Sequence, residues 1–492
     1  AQYIGENNLA TKVAVIYDSS DIYSSGIYEK FAAEAANQNF EIVSAEAFTA
    51  DNKTDFSVQL QKAKDAGADL VFLPIYYTEA SLILSQADKM GYAPQFFGCD
   101  GLDGILNVEN FDTSLAENVM LLTPFAADAT DDLTVNFVKN YKDKFNGETP
   151  NQFAADTYDA IYAIKAAAEK AGLRLFLGSY PITPATDILH ELSKRKDLGV
   201  ITVQAEDEIA GVCTAIGASF SGCLAATSTS GPGLALKSEA IGLAVIAEVP
   251  LVVIDVQRGG PSTGMPTKSE QTDLMQALYG RNGECPAVVL AACTPADCFD
   301  AAFWAGKLAV EHMTPVILLT DAFIANGSTA WRLPELDKYP EIKPNYVSNY
   351  KGEAPWKPYR RDHETMVRYW AIPGTEGFMH RLGGLEKDYE TSAISTDPVN
   401  HQRMVRARQA KIDKIADFIP ELNVIGDQDA DLLIVGWGGT YGHLYETMEI
   451  MRSQGKKVAL AHFKYINPLP KNTAEVLKRF KKVVVAEQNN GQ

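Results

Sequence analysis

Four short motifs fall within residues 180–268, and each sits where an apolar run ends. They are Tyr180-Pro181-Ile182-Thr183-Pro184, Glu206-Asp207-Glu208, Thr229-Ser230-Gly231-Pro232-Gly233 and Gln257-Arg258-Gly259-Gly260-Pro261-Ser262-Thr263-Gly264. The runs before them, at 173–177, 200–203, 224–227 and 251–255, have the length and bounding turn residues of buried strands. Pro184, just ahead of 185–189, suits a helix first turn. Residues 209–220 alternate small and apolar side chains at helical spacing, so Glu208 falls where a strand hands over to a helix. A carboxylate there is favoured by the helix amino end, but its burial is costly without a partner. In an open parallel sheet, ligands bind at the carboxyl ends of the strands, where all four motifs would lie.

The rest of the chain sets bounds. At 492 residues several domains are expected. A net charge of −19 argues against nucleic acid or an anionic membrane as partner. The most apolar stretch, 240–256, is interrupted by Glu248 and Pro250 and reads as helix, turn and strand rather than as a membrane span. No signal peptide precedes Ala1, so the cytoplasm is the expected compartment. The six cysteines are scattered and form no CxxC, so no iron–sulfur cluster of the chain's own is expected.

Composition marks a seam. Residues 1–172 contain no Arg, Trp or His and carry −15, whereas the remaining 320 residues carry only −4. Before the seam, strands at 12–17, 41–44, 70–74, 95–98 and 119–124 alternate with helices at 27–36, 56–66, 78–90, 134–145 and 154–169, which calls for a doubly wound parallel sheet. The carrying residues are KVAVIYDSSDIYSSG at 12–26, DFSVQLQKAKDAGADLVFLP at 55–74 and FFGCDGLDG at 96–104. They resemble the second lobe of branched-chain amino-acid-type periplasmic binding proteins. That resemblance implies an amino-acid cleft lined by Tyr23, by Tyr77 or its neighbour, and by Asp100, whose carboxylate would pair with a ligand ammonium. Asp100 in Cys-Asp-Gly is also an ordinary turn-former. The family's site lies between two lobes, and only one is expected here.

After the seam, the ordered combination of YPITP, EDE, TSGPG and QRGGPSTG resembles the α subunit of the 2-oxoacid:ferredoxin oxidoreductases, which are thiamine diphosphate enzymes. The resemblance covers roughly residues 166–492. It implies a multi-domain α/β chain: a Rossmann-like periplasmic-binding-protein lobe at 1–172, a pyrimidine-binding domain at 173–335, an extended connection with a charged helix at 336–424, and a transketolase C-terminal-like domain, cut short, at 425–492.

The resemblance also implies chemistry. Glu208 aligns with the carboxyl that hydrogen-bonds the cofactor's aminopyrimidine and drives proton removal from the thiazolium C2, while Glu206 and Asp207 read as solvated or capping acids. Arg258 and the Thr183 hydroxyl would contact the carboxyl region of the 2-oxoacid, with 2-oxoglutarate the expected substrate. Ser230 and Gly231 fit either a tight turn or a close backbone approach to the cofactor. The Gly-Asp-Gly stretch that would hold Mg²⁺ is not found in this sequence. In the family it belongs to the β subunit, together with an iron–sulfur cluster. The family's γ-like domain, which helps bind coenzyme A, is replaced here by the first lobe. Oxidative decarboxylation to the acyl-CoA, with ferredoxin as acceptor, is therefore expected only with a β subunit. The rival reading is an amino-acid solute-binding protein of an ABC transporter, with the second part a passenger.

Overall fold

The computed structural model describes residues 1–122, 163–327, 334–352 and 354–492, with a few isolated positions between 130 and 147. The chain divides into two compact units, Ala1–Asp156 and Thr157–Gln492. Among the described residues, no helix is long and apolar enough to cross a membrane.

In the first unit, strands β1 (Lys12–Asp18), β2 (Glu41–Phe48), β3 (Leu70–Leu73), β4 (Gln95–Gly98) and β5 (Val119–Leu121) form one parallel sheet in the order β2-β1-β3-β4-β5. Successive side chains of a strand point to opposite faces, so a strand covered on both sides must be apolar throughout. β1 meets this condition. Ala14 and Ile16 enter one core with Phe56 and Leu60, while Val13 and Val15 enter a second core with Phe31 and Phe72. The longer helices among the described residues are α1 (Ile22–Ala35), capped by the Asp21 carboxylate on the Ser24 N–H, α2 (Ser57–Asp65) and α3 (Tyr77–Lys89). Most of the expected helix at 134–145 and the part of the next one before residue 163 lie outside the described residues, as does the end of the strand expected to reach residue 124.

The second unit does not begin at the compositional seam. Residues 163–170 are helical, and Ala163, Ile164, Ala166, Ala167, Ala168 and Ala171 belong to the second unit's main core. The division into compact units thus falls at 156/157, ahead of the compositional seam at 172. The reason is packing. Ala167 fits against Gly306 so closely that a Cβ on the glycine would stand 2.9 Å from the alanine Cβ.

The main sheet of this unit has seven strands. β6 (Arg174–Ser179), β7 (Ile201–Gln204), β8 (Cys223–Thr229), β9 (Leu251–Gln257), β10 (Val288–Ala291) and β11 (Pro315–Asp321) are parallel, in the order β10-β11-β9-β8-β6-β7. Helices α4 (Thr186–Lys194), α5 (Glu208–Phe220), α6 (Gly231–Ala247) and α7 (Asp297–His312) provide crossovers. From β6 the chain first moves outward to β7, then returns to build β8 and β9 on the other side. The strand order thus reverses between β6 and β8, which makes the crevice at their carboxyl ends the expected ligand site of an open sheet.

Residues 334–397 are largely irregular, with isolated bridges, and lead into α8 (Pro398–Lys414), whose amino end is capped by the Asp397 carboxylate. A smaller sheet follows. β12 (Val424–Gly426), β13 (Leu432–Trp437), β14 (Val458–Phe463) and β16 (Lys482–Val485) take the order β12-β14-β13-β16, packed by α9 (Tyr441–Ser453). This last segment, expected as a separate α/β domain, also reaches back. β15 (Tyr465–Asn467) adds antiparallel to β10 in the main sheet, and Trp437 is buried in that sheet's core.

Candidate active site

The four motifs come together at the β6–β8 crevice. Ser179 and Ser228, the neighbours on the two strands, are bonded through their hydroxyls at 2.7 Å. One residue further on, the buried Tyr180 hydroxyl meets Thr229 Oγ1 at 3.0 Å. The Glu208 side chain lies beside it. Burial, then the neighbouring Glu208, push the Tyr180 hydroxyl well above its ordinary range, against the opposing effects of Thr229 and Arg258. Tyr180 is therefore a neutral hydroxyl at any physiological pH.

Of the three acids in the second motif, Asp207 is the cap of α5, its carboxylate accepting from the Ala210 N–H at 2.9 Å. Glu206 is exposed. Glu208 is half-buried in the first turn. Its stem leans on the start of α6: a Cβ on Gly233 would lie 3.0 Å from Glu208 Cγ, 2.3 Å from the Tyr180 hydroxyl and 2.2 Å from Thr229 Oγ1. Only a residue without a side chain lets these three groups converge.

α6 starts at Gly231 with Ser230 as its cap residue, yet Ser230 makes no side-chain cap bond, and its buried Oγ has no partner. The amino end of a 17-residue helix, positive through its dipole, thus opens beside an unsatisfied hydroxyl. Gly231 is close-packed too, since a Cβ there would meet the Asp273 carboxylate at 3.0 Å.

Arg258 follows β9 and is nearly buried. Its Nη1 donates to the main-chain carbonyl of Thr183 at 2.6 Å, while its Nε has no partner. The structure brings Arg258 and Thr183 together through the turn's backbone rather than through the threonine hydroxyl. Glu208, Thr183, Arg258, Ser230 and Gly231 all line the same edge of the sheet. In the first unit, Tyr23 donates to Asp100 at 2.7 Å and accepts from the Gly101 N–H at 2.8 Å. Tyr76, rather than Tyr77, stacks on Tyr23 at 4.9 Å, while Tyr77 packs against the core.

Sequence reasoning missed three residues. Lys237, on α6, is completely buried behind Glu208. Its signal was a lone cation in a helix that is otherwise small and apolar on nearly every side. Asp255 and Asp273 form a buried carboxyl pair, with Gln257 donating to Asp273. Burial, then repulsion by Asp273, pushes the Asp255 carboxyl far above its ordinary range. Among the described residues, no group of three or more His, Cys, Asp or Glu is placed to hold a metal ion.

Comparison with known proteins gives three matches by family profile. Residues 166–396 match the thiamine diphosphate-binding domain of pyruvate flavodoxin/ferredoxin oxidoreductases. Residues 430–492 match core domain II of pyruvate:ferredoxin oxidoreductase. Residues 1–179 match periplasmic binding proteins. The chain is 57% identical over 332 residues to the 2-oxoglutarate oxidoreductase subunit KorA of Mycobacterium tuberculosis, covering 67% of this chain and 50% of that protein. It is 33% identical over 333 residues to the 2-oxoglutarate synthase subunit KorA of Archaeoglobus fulgidus, covering 66% and 85%. It spans about half the length of the first curated relatives it matches. A solved 2-oxoglutarate:ferredoxin oxidoreductase of Magnetococcus marinus, with 2-oxoglutarate, coenzyme A and succinyl-CoA bound, superposes with a TM-score of 0.63 at 27% identity, covering 86% of this chain and 81% of that one.

Proposed function

Because the chain belongs to the family of 2-oxoacid:ferredoxin oxidoreductase α subunits, joined to a periplasmic-binding-protein-like segment, we propose that it supplies the pyrimidine side of a composite thiamine diphosphate site. A β subunit would supply the rest, including the Mg²⁺ ligands and an iron–sulfur cluster. The substrate is 2-oxoglutarate, by analogy with the relatives' names, and the acceptors are coenzyme A and ferredoxin. The observation that carries this reading is the convergence of Glu208, Tyr180 and Thr229 on Gly233 at the point where the strand order reverses.

The residues present fit the cofactor. A half-buried carboxylate with a fixed hydroxyl donor, an orphaned Ser230 hydroxyl and an open helix amino end form a polar edge able to hold a ring with both donors and acceptors. When bound, thiamine diphosphate would supply the nucleophilic thiazolium carbon that attacks the 2-oxo group. Glu208 would hydrogen-bond the pyrimidine ring and hold or release a proton at its carboxylate. Tyr180 fixes which way that carboxylate faces. Arg258 stands ready to hold the substrate carboxylate, its guanidinium oriented by the Thr183 carbonyl and its Nε still without a partner.

The test is reconstitution with a matching β subunit. Release of CO₂ from 2-oxoglutarate should require both subunits, thiamine diphosphate and a low-potential acceptor. Release by the chain alone at the rate of the complex would contradict the composite site, and a preference for pyruvate over 2-oxoglutarate would contradict the substrate assignment.

A further inference from the structure

Lys237 stands behind Glu208 and has no role in the chemistry described so far. Its side chain has no exposure to solvent. Its ammonium donates to the main-chain carbonyl of Glu208 at 2.9 Å and to Thr227 Oγ1 at 3.1 Å, and lies 4.9 Å from the centre of the Tyr180 ring. A buried ammonium costs several kcal/mol unless opposite charge offsets it. The opposite charge comes from α5, from Glu208 first and then from Asp207. Asp207 is committed to capping. β8 and the end of β6 contribute only the neutral Thr227, Thr229 and Tyr180. Burial still pulls the ammonium down to about 8, so Lys237 is charged at neutral pH and loses its charge just above it.

The geometry points to Lys237 as a positioning residue for Glu208: its hydrogen bond to the Glu208 carbonyl pins the first turn of α5 so that the Glu208 side chain faces Tyr180, and the two charges act on each other. A lysine suits the place because its compact charge sits at the end of a slim stem, which a planar guanidinium does not. The role rests on the reading of Glu208 given above, but the coupling of the two charges can be measured without it, because coupling between two sites is reciprocal.

The experiment is ¹⁵N-lysine NMR on the full chain, with the Lys237 signal identified by its loss in Lys237→Gln. Glu208→Gln is expected to lower the Lys237 titration midpoint by about one pH unit, a tenfold change in proton affinity. A midpoint within about 0.2 unit of the parent would overturn the coupling. In the complex with a matching β subunit, Lys237→Gln keeps a hydrogen-bond donor but not the charge. It is expected to slow deuterium exchange at the thiamine C2 by about tenfold and to remove an alkaline limb near pH 8. An unchanged rate and pH profile would overturn the positioning role. If Lys237→Gln does not fold, the Lys237 signal is identified from Glu208→Gln difference spectra, and the midpoint still decides. Intact coupling with exchange insensitive to Glu208→Gln would instead count against the function proposed above.

Discussion

Glu248 and Arg361, 113 residues apart in the chain, form an ion pair that is sealed from solvent. Lys411 closes on the second Glu248 oxygen at 2.9 Å, and Arg368 donates its Nε to the Glu248 main-chain carbonyl at 3.0 Å. Glu248 ends α6 in the left-handed region, at φ 53°, which turns both its carboxylate and its carbonyl toward the irregular segment. A stretch with almost no regular structure is thereby held to the main sheet by charge. α6 is fixed at both ends, by this cluster at one and by the crevice at the other.

Glu248→Gln is expected to cost the second unit about 3–5 kcal/mol, because it leaves Arg361 and Lys411 buried without a counter-charge. Burial alone would raise the Glu248 carboxyl, but Arg361 and Lys411 outweigh it and hold it down at about 2. The folded value lies below the unfolded value of about 4.3. This stabilisation is therefore present above that range and is lost as the pH falls toward 2. Denaturant melts between pH 5 and pH 2 should show a steeper loss for the parent than for Glu248→Gln.

Each unit has its own cores, so two calorimetric transitions are expected from the full chain. A fragment covering 157–492 should keep one of them. A single transition shared by the whole chain would contradict this.

Gly233→Ala places a methyl on the Tyr180 and Thr229 hydroxyls and against the Glu208 stem. Overpacking of this kind costs about 1–3 kcal/mol. The larger effect should be on the site, with thiamine diphosphate affinity in the assembled complex falling by about tenfold or more. Titration calorimetry of the complex measures it.

The four motifs were legible because each follows a strand, and strand ends in a parallel sheet carry the ligands; three of those strands are buried, while β7, expected to be buried too, is a half-exposed edge strand. Glu208 could be singled out because it is the last acid before a helix, and Asp207 does cap as its residue type suggests. The compositional seam and the division into compact units fall at different places because absence of Arg, Trp and His marks where composition changes, not which core a helix joins. Residues 163–171 are mostly alanine, which carries no directional pattern, and their fate is decided by Gly306 on a distant helix. The 334–397 segment had no readable order because it is held by Arg361 and Arg368, whose partner Glu248 is remote. β15 is only three residues long and pairs outside its own segment, so no local signal announces it.

Arg258→Lys keeps the charge but loses the planar fork that binds a carboxylate in two places. In the assembled complex kcat/KM for 2-oxoglutarate should fall by about tenfold or more, with thiamine diphosphate affinity nearly unchanged. An equal loss of cofactor affinity would remove Arg258 from the substrate role.

The most direct test of the proposed chemistry is deuterium exchange at the thiamine C2, followed by NMR in the complex with a matching β subunit. It reports proton removal without requiring turnover. Glu208→Gln preserves size and hydrogen-bonding capacity but removes the titratable proton. The variant should still bind the cofactor, and its exchange should slow by about 10²-fold or more, the scale of general acid–base contributions. An exchange rate within about twofold of the parent would contradict the assignment and leave Glu208 as a first-turn carboxylate of α5 with no part in catalysis.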